Sequence, residues 1–218
     1  MMKIKDAIDS FASFETNLCH EVWKEVSMPI QIKKLDDNRI TDPKLRKQIL
    51  DQLKIRPSFL AHVSKQIFLE KGHCRFIEVG TAEGLQSITI AKTVCKSEVF
   101  TCDIRDVRHN SFDSLNNAKF FLGNSKNMSS HIDQKIDVCW IDGAHDQYSV
   151  IEDFLAILPH TDHETLWVFD DFDLRFGCYR DIEVISHNFL ENYVINFGAT
   201  ASGNPSTVAL MRGFGKYA

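Results

Sequence analysis

The sequence predicts an α/β fold: a doubly wound, mostly parallel, seven-stranded sheet with a C-terminal antiparallel hairpin and an N-terminal helical cap. Three observations carry this. Five short apolar runs, at 75–79, 98–104, 119–122, 136–141 and 165–169, alternate with helical patterns. Runs that are apolar throughout suit strands buried on both faces of a parallel sheet. The first run ends in Glu78-Val-Gly80-Thr-Ala-Glu-Gly84, a glycine-lined passage from strand into helix. The tail, 193–200 and 207–212, reads as two strands joined by Ala201-Ser-Gly-Asn-Pro-Ser206, a turn composition that favours a hairpin.

In chain order, the first seventy residues read as helical. Asp42-Pro43 has the form of an N-cap with proline in the first turn, followed by the apolar face Leu45, Ile49, Leu50 and Leu53. Arg56-Pro57 breaks that helix, and the next carries Leu60, Val63, Ile67 and Phe68 before Gly72 ends it. Residues 26–39 lack regular periodicity and read as a loop. After the glycine turn, Leu85, Ile88, Ala91 and Cys95 mark a helix face. Ser149 and Glu152 have capping-box spacing ahead of Val150, Ile151, Phe154, Leu155 and Leu158, with Pro159 as the stop. A further helix is expected across about 175–190. The expected organisation is a helical extension over 1–71 and a core over 72–218, forming one globular unit.

Composition narrows the function classes. A net charge of −5 over 218 residues argues against a broad nucleic-acid or anionic-membrane surface. No apolar run approaches the ~18 residues that span a bilayer, and the first residues lack the apolar core of a signal peptide. The six cysteines show no C-x-x-C pair and no zinc spacing, as expected of reduced core thiols in a cytoplasmic protein.

A strand that passes into a helix through glycines leaves backbone N–H groups free at its carboxyl end, where open α/β sheets hold nucleotide-like ligands. Asp103, 25 positions after Glu78 and at the end of the next strand, is placed to accept hydrogen bonds from ribose hydroxyls. Asn124 and Ser125, after the third strand, read either as adenine contacts or as a helix cap. The fourth and fifth strands end in Trp140-Ile-Asp142-Gly-Ala-His145 and Val168-Phe-Asp170-Asp171. Neighbouring strands lie ~4.8 Å apart, so these carboxylates converge, and a hard divalent cation would neutralise their repulsion. One of Asp170 and Asp171 is alternatively a helix cap. His145 is a candidate general base, with a loop-stabilising hydrogen bond as the bland alternative.

Together, Ile77-Glu-Val-Gly-Thr-Ala-Glu-Gly84, Trp140-Ile-Asp-Gly-Ala-His145 with Tyr148 close behind, and Val168-Phe-Asp-Asp171 resemble the class I S-adenosylmethionine-dependent methyltransferases. The resemblance covers about 57–212 and is narrowest to the metal-dependent O-methyltransferases of the macrolide-sugar and catechol type. It implies a cofactor site at Glu78, Gly80, Thr81, Gly84, Ser87, Asp103, Ile104, Asn124, Ser125 and Asp142. It also implies magnesium or another divalent cation at Asp142, Asp170 and Asp171, and catalysis by Asp142 and His145. Asn124 stands where the family often has an acidic residue. The implied acceptor is a small hydroxylated molecule (sugar, catechol or natural product), with no nucleic-acid or membrane partner and a homo-oligomer as an option. The alternatives are a metal-independent methyltransferase, a nicotinamide-dependent oxidoreductase and a non-catalytic cofactor-binding protein. The missing G-x-G-x-x-G spacing and the hairpin ending weigh against the oxidoreductase.

Overall fold

The computed structural model describes residues 3–94, 96–201 and 204–215. Cys95, and Ser202 and Gly203 of the expected hairpin turn, lie outside them. Seven strands form one sheet: β1 (Cys74–Val79), β2 (Ser97–Asp103), β3 (Ala118–Leu122), β4 (Val138–Ile141), β5 (Leu166–Phe169), β6 (Glu191–Ala199) and β7 (Pro205–Arg212). Their order is β3-β2-β1-β4-β5-β7-β6. The first five are parallel, and β7 runs antiparallel to both β5 and β6. The predicted fold class holds, because β4 and β5 are buried at every position as strands covered on both faces must be. The order reverses at β1, which pairs with β2 on one side and β4 on the other. That reversal opens a crevice at the carboxyl ends of these strands.

Nine helices over the described residues flank the sheet. Before β1 come α1 (Ile4–Ser10), α2 (Asn17–Val26), α3 (Met28–Asp37), α4 (Pro43–Leu53) and α5 (Ile55–Lys71). After it come α6 (Leu85–Thr93), α7 (Ser125–Ser129), α8 (Ser149–Ile157) and α9 (Tyr179–Ser186). One apolar layer joins Ile4 and Ala7 of α1 and Phe59, Leu60, Val63 and Ile67 of α5 to Phe76, Val99, Trp140 and Val168 on the sheet. The opposite layer packs Phe154 of α8 and Ile182 of α9 on Ile77, Cys139, Trp167 and Phe169. Helix α5 is buried around most of its first half, including Ser58, His62 and Ser64, so it acts as a layer of the sheet. The five described cysteines are free and buried, in keeping with core thiols. No helix among the described residues is long and apolar enough to cross a membrane.

Several local expectations hold. The Asp42 side chain accepts from Lys44 N–H at 2.8 Å, and Gly72 ends α5 at φ +76°. Others are corrected. Residues 26–39 are not a loop, because α3 occupies 28–37: Leu35 is fully buried and packs with Ile49 and Ala201, a tertiary contact with no local periodicity behind it. The Ser149–Glu152 capping box does not form. Tyr148 takes the N-cap position at φ +75°, and the Ser149 hydroxyl donates instead to Asp146. The helix expected over 175–190 is the shorter α9, since residues 173–178 turn back toward the site.

Candidate functional site

The glycine turn is held by backbone geometry. Gly80 adopts φ +90°, and its N–H donates to Cys102 O at 2.9 Å. A Cβ at Gly80 would lie 1.9 Å from Asp142 O, so only glycine permits this approach. Gly84 (φ +83°) is the N-cap of α6. Below the turn, the buried Glu78 carboxylate accepts from Ser87 Oγ and from Thr101 Oγ1 at 2.8 Å, and Thr101 Oγ1 also bonds Thr81 Oγ1. Burial pushes Glu78 up to about 8 against the pull of these hydrogen bonds. The side chains of Glu78, Thr81 and Ser87 are therefore used as a brace under the turn, and the surface left for a ligand is the turn backbone.

At the ends of β2 and β3 the side chains face outward. Asp103 accepts from Ala82 N–H at 2.9 Å and from Arg105 N–H at 3.0 Å, one bond per carboxylate oxygen, which leaves a lone pair on each for a ribose hydroxyl. Ile104 beside it is 73% exposed. Asn124 caps α7 by accepting from Asn127 N–H at 2.9 Å, which leaves its amide NH₂ for a base edge. Ser125 is buried and hydrogen-bonds Asp153. Large apolar side chains at the same edge (Leu122, Tyr148 and Leu174) are exposed.

At the ends of β4 and β5, Asp142, His145 and Asp171 each bring a ligand atom within 4.8 Å of the others. His145 Nδ1 lies 2.8 Å from Asp171 and its Nε2 3.6 Å from Asp142. Asp171 reaches it from a backbone at φ +54°. The hydrogen bonds to Asp142 and Asp171 push His145 up to about 10, so with no cation present it carries a proton at neutral pH. The edge of the His145 ring packs on Phe176.

The structure does not gather the expected trio Asp142, Asp170 and Asp171. Asp170 is buried and bound by the guanidinium of Arg56, from the first turn of α5. Arg56 also lies over the Trp140 ring, 5.3 Å from its centroid. Sequence reading took Arg56 only as part of a helix break, and its position immediately before a proline at a helix start was the one signal available. Burial drives the Asp170 carboxyl well above the ordinary range, and Arg56 pulls the other way. Asp170 Oδ1 is buried with no hydrogen-bond partner. The two carboxylates and the imidazole of Asp142, His145 and Asp171 suit a divalent cation, with the imidazole favouring a borderline metal over magnesium.

Comparison with known proteins agrees with this fold. Residues 77–172 match a family described as a methyltransferase domain. No curated protein matches the chain. A Staphylococcus aureus protein proposed to be a caffeoyl-CoA O-methyltransferase has the same fold, at 16% identity and a TM-score of 0.55 over 96% of this chain and 98% of that one. The N-methyltransferase NodS of Bradyrhizobium japonicum WM9 is similar over 75% of this chain and 97% of its own, with 12% identity and a TM-score of 0.58. An rRNA methylase of Streptococcus thermophilus matches over 73% and 95%, with 13% identity and a TM-score of 0.55. This range of acceptors means that the fold does not by itself exclude a nucleic acid. The domain match over 77–172 and the strand order together give this chain a methyltransferase domain on the class I methyltransferase fold.

Proposed function

We propose that this chain methylates a hydroxyl of a small molecule and that its acidic strand ends hold a divalent cation for the acceptor. One observation carries the reading. Gly80 rests against the carbonyl of Asp142, so the turn that would cradle the donor and the Asp142–His145–Asp171 group meet at a single residue. Transfer from a sulfonium needs donor and acceptor aligned in line and little activation of the donor. The Gly80–Gly84 backbone and Asp103 would hold the cofactor, and the exposed Ile104 would cover its adenine. Asn124 and Ser125 would border the base, and Glu78, Thr81 and Ser87 would keep the turn in shape from below.

Asp142, His145 and Asp171 would hold the cation, with Asp170 beside them. When bound, such a cation lowers the pKa of a coordinated hydroxyl and orients it. Arg56 would fix Asp170 at the rim. A vicinal diol suits a cation site of this kind, which makes catechols and sugars the first acceptors to try. The carboxylate-rich edge also disfavours a polyphosphate backbone.

Arg56 motivates a second reading. Arg56 and protonated His145 place two positive groups against three aspartates, which offsets most of the negative charge with no metal. The two readings part on chelation. Purified protein is assayed on a catechol and sugar panel with and without EDTA, and calorimetry follows S-adenosylhomocysteine binding. The metal reading expects cofactor binding to survive EDTA and transfer to stop until Mn²⁺ or Mg²⁺ is restored. Full transfer in EDTA rejects it in favour of the second reading, and failure to bind S-adenosylhomocysteine rejects both.

A further inference from the structure

A cavity of about 800 Å³ lies among α2, α3 and α4, away from the carboxylate cluster. That is the size of sites that enclose an organic molecule. Its wall is built from two kinds of residue. Trp23, Met28 and Leu50 supply aromatic and apolar surface, while Lys24, Arg46, Lys47 and Lys54 supply four cations against Asp36 and Asp51. Arg46 is paired with Asp36 at 2.6 Å and Lys54 with Asp51 at 2.7 Å. Lys24 and Lys47 make no ion pair among the described residues. Four cations minus two anions leave the lining at +2, in a chain whose net charge is −5. A local excess of that sign in an acidic protein marks a place where an anion is favoured. His20 on the same wall feels it: burial first, and then Lys54 and Lys24, push its pKa down.

We infer that this cavity binds a small organic anion: an aromatic or apolar body carrying one or two carboxylate, sulfate or phosphate groups, the body against Trp23 and Leu50 and the charge between Lys24 and Lys47. A bare inorganic anion would leave the apolar wall uncovered, and a neutral apolar ligand would leave both lysines unanswered. The site is independent of which acceptor is methylated.

Two fluorescent probes with one aromatic body separate the possibilities: 8-anilino-1-naphthalenesulfonate and its uncharged analogue N-phenyl-1-naphthylamine. Each is titrated into the full chain, into Lys24→Glu/Lys47→Glu and into Leu50→Trp, whose indole would occupy the cavity. Saturable binding of the sulfonate to the wild-type chain is expected. The double charge reversal should weaken the sulfonate by about tenfold or more while leaving the neutral probe within about twofold. Leu50→Trp should weaken both. S-adenosylhomocysteine binding, measured alongside, should be unchanged in each variant and reports on folding and on the cofactor site separately. An equal effect of charge reversal on both probes, or none on the sulfonate, overturns the inference, as does full sulfonate binding by Leu50→Trp. The lysine variant alters two exposed side chains, so it decides the matter even if Leu50→Trp does not fold.

Discussion

Replacing Arg56 with methionine isolates the contact that sequence reading missed. Methionine keeps a chain of similar length against Trp140 and removes the charge. The Asp170 side chain is 3% exposed, and its Oδ1 already lacks a partner. Without the guanidinium it can relieve a buried charge only by taking up a proton. From an ordinary carboxyl pKa near 3.9, at about 1.36 kcal/mol per pH unit, protonation costs about 4 kcal/mol at pH 7 and about 1.5 kcal/mol at pH 5. These values cap the loss, and the upper one falls within the ~3–5 kcal/mol typical of breaking a buried ion pair from one side. The sign follows from linkage. A carboxyl whose folded pKa is raised is least harmful below its unfolded pKa and costs stability as pH rises toward the folded value. Urea unfolding of Arg56→Met should therefore show a deficit that grows by up to about 2.7 kcal/mol between pH 5 and pH 7. Adding Asp170→Asn should remove most of that growth. A deficit independent of pH, or a double variant no better than the single one, would refute the account of Arg56 as the counter-charge of Asp170.

Gly80→Ala places a Cβ 1.9 Å from Asp142 O at a φ of +90°. Left-handed strain and overpacking together should cost about 2–5 kcal/mol, and S-adenosylhomocysteine affinity should fall with it in calorimetry. Burial raises Glu78 to about 8, so this group should erode wild-type stability as pH climbs from about 4.5 to 8 and level off above that. Glu78→Gln should flatten that slope of up to about 1.4 kcal/mol per pH unit, and an unaltered pH profile in denaturant melts would show that the slope arises elsewhere. His145→Ala should bind S-adenosylhomocysteine normally yet transfer methyl groups more slowly by about tenfold or more; an unchanged rate removes His145 from the reaction. Asp142→Asn should bind Mn²⁺ more weakly by calorimetry, and undiminished binding would move the cation site away from Asp142.

What the chain spells out locally, the sequence could determine. The strands β1 to β5 announce themselves as short uninterrupted apolar runs, and their observed ends fall within about two residues of the expected ones. The glycine pair at 80 and 84, Asp103, and the acidic ends of β4 and β5 are legible because each is tied to a strand end, and parallel pairing brings strand ends together whatever the rest of the chain does. Partner choice is not local. Whether Asp170 meets a metal ligand or a guanidinium depends on where α5 crosses the sheet, and Arg56 is 114 positions away in sequence. The capping-box pattern at Ser149 and Glu152 was overruled because Tyr148, held through its N–H by Asp181, took the cap. Helix α3 exists because Leu35 found Ile49 and Ala201. The same holds for the cationic cavity, whose lysines come from separate helices. Sequence thus determined the sheet and which residues gather at its carboxyl edge as a candidate site, because those follow from backbone pairing and strand-end position. Only the tertiary structure decided which charges meet, because ion pairs and packed faces depend on distances that chain order does not encode.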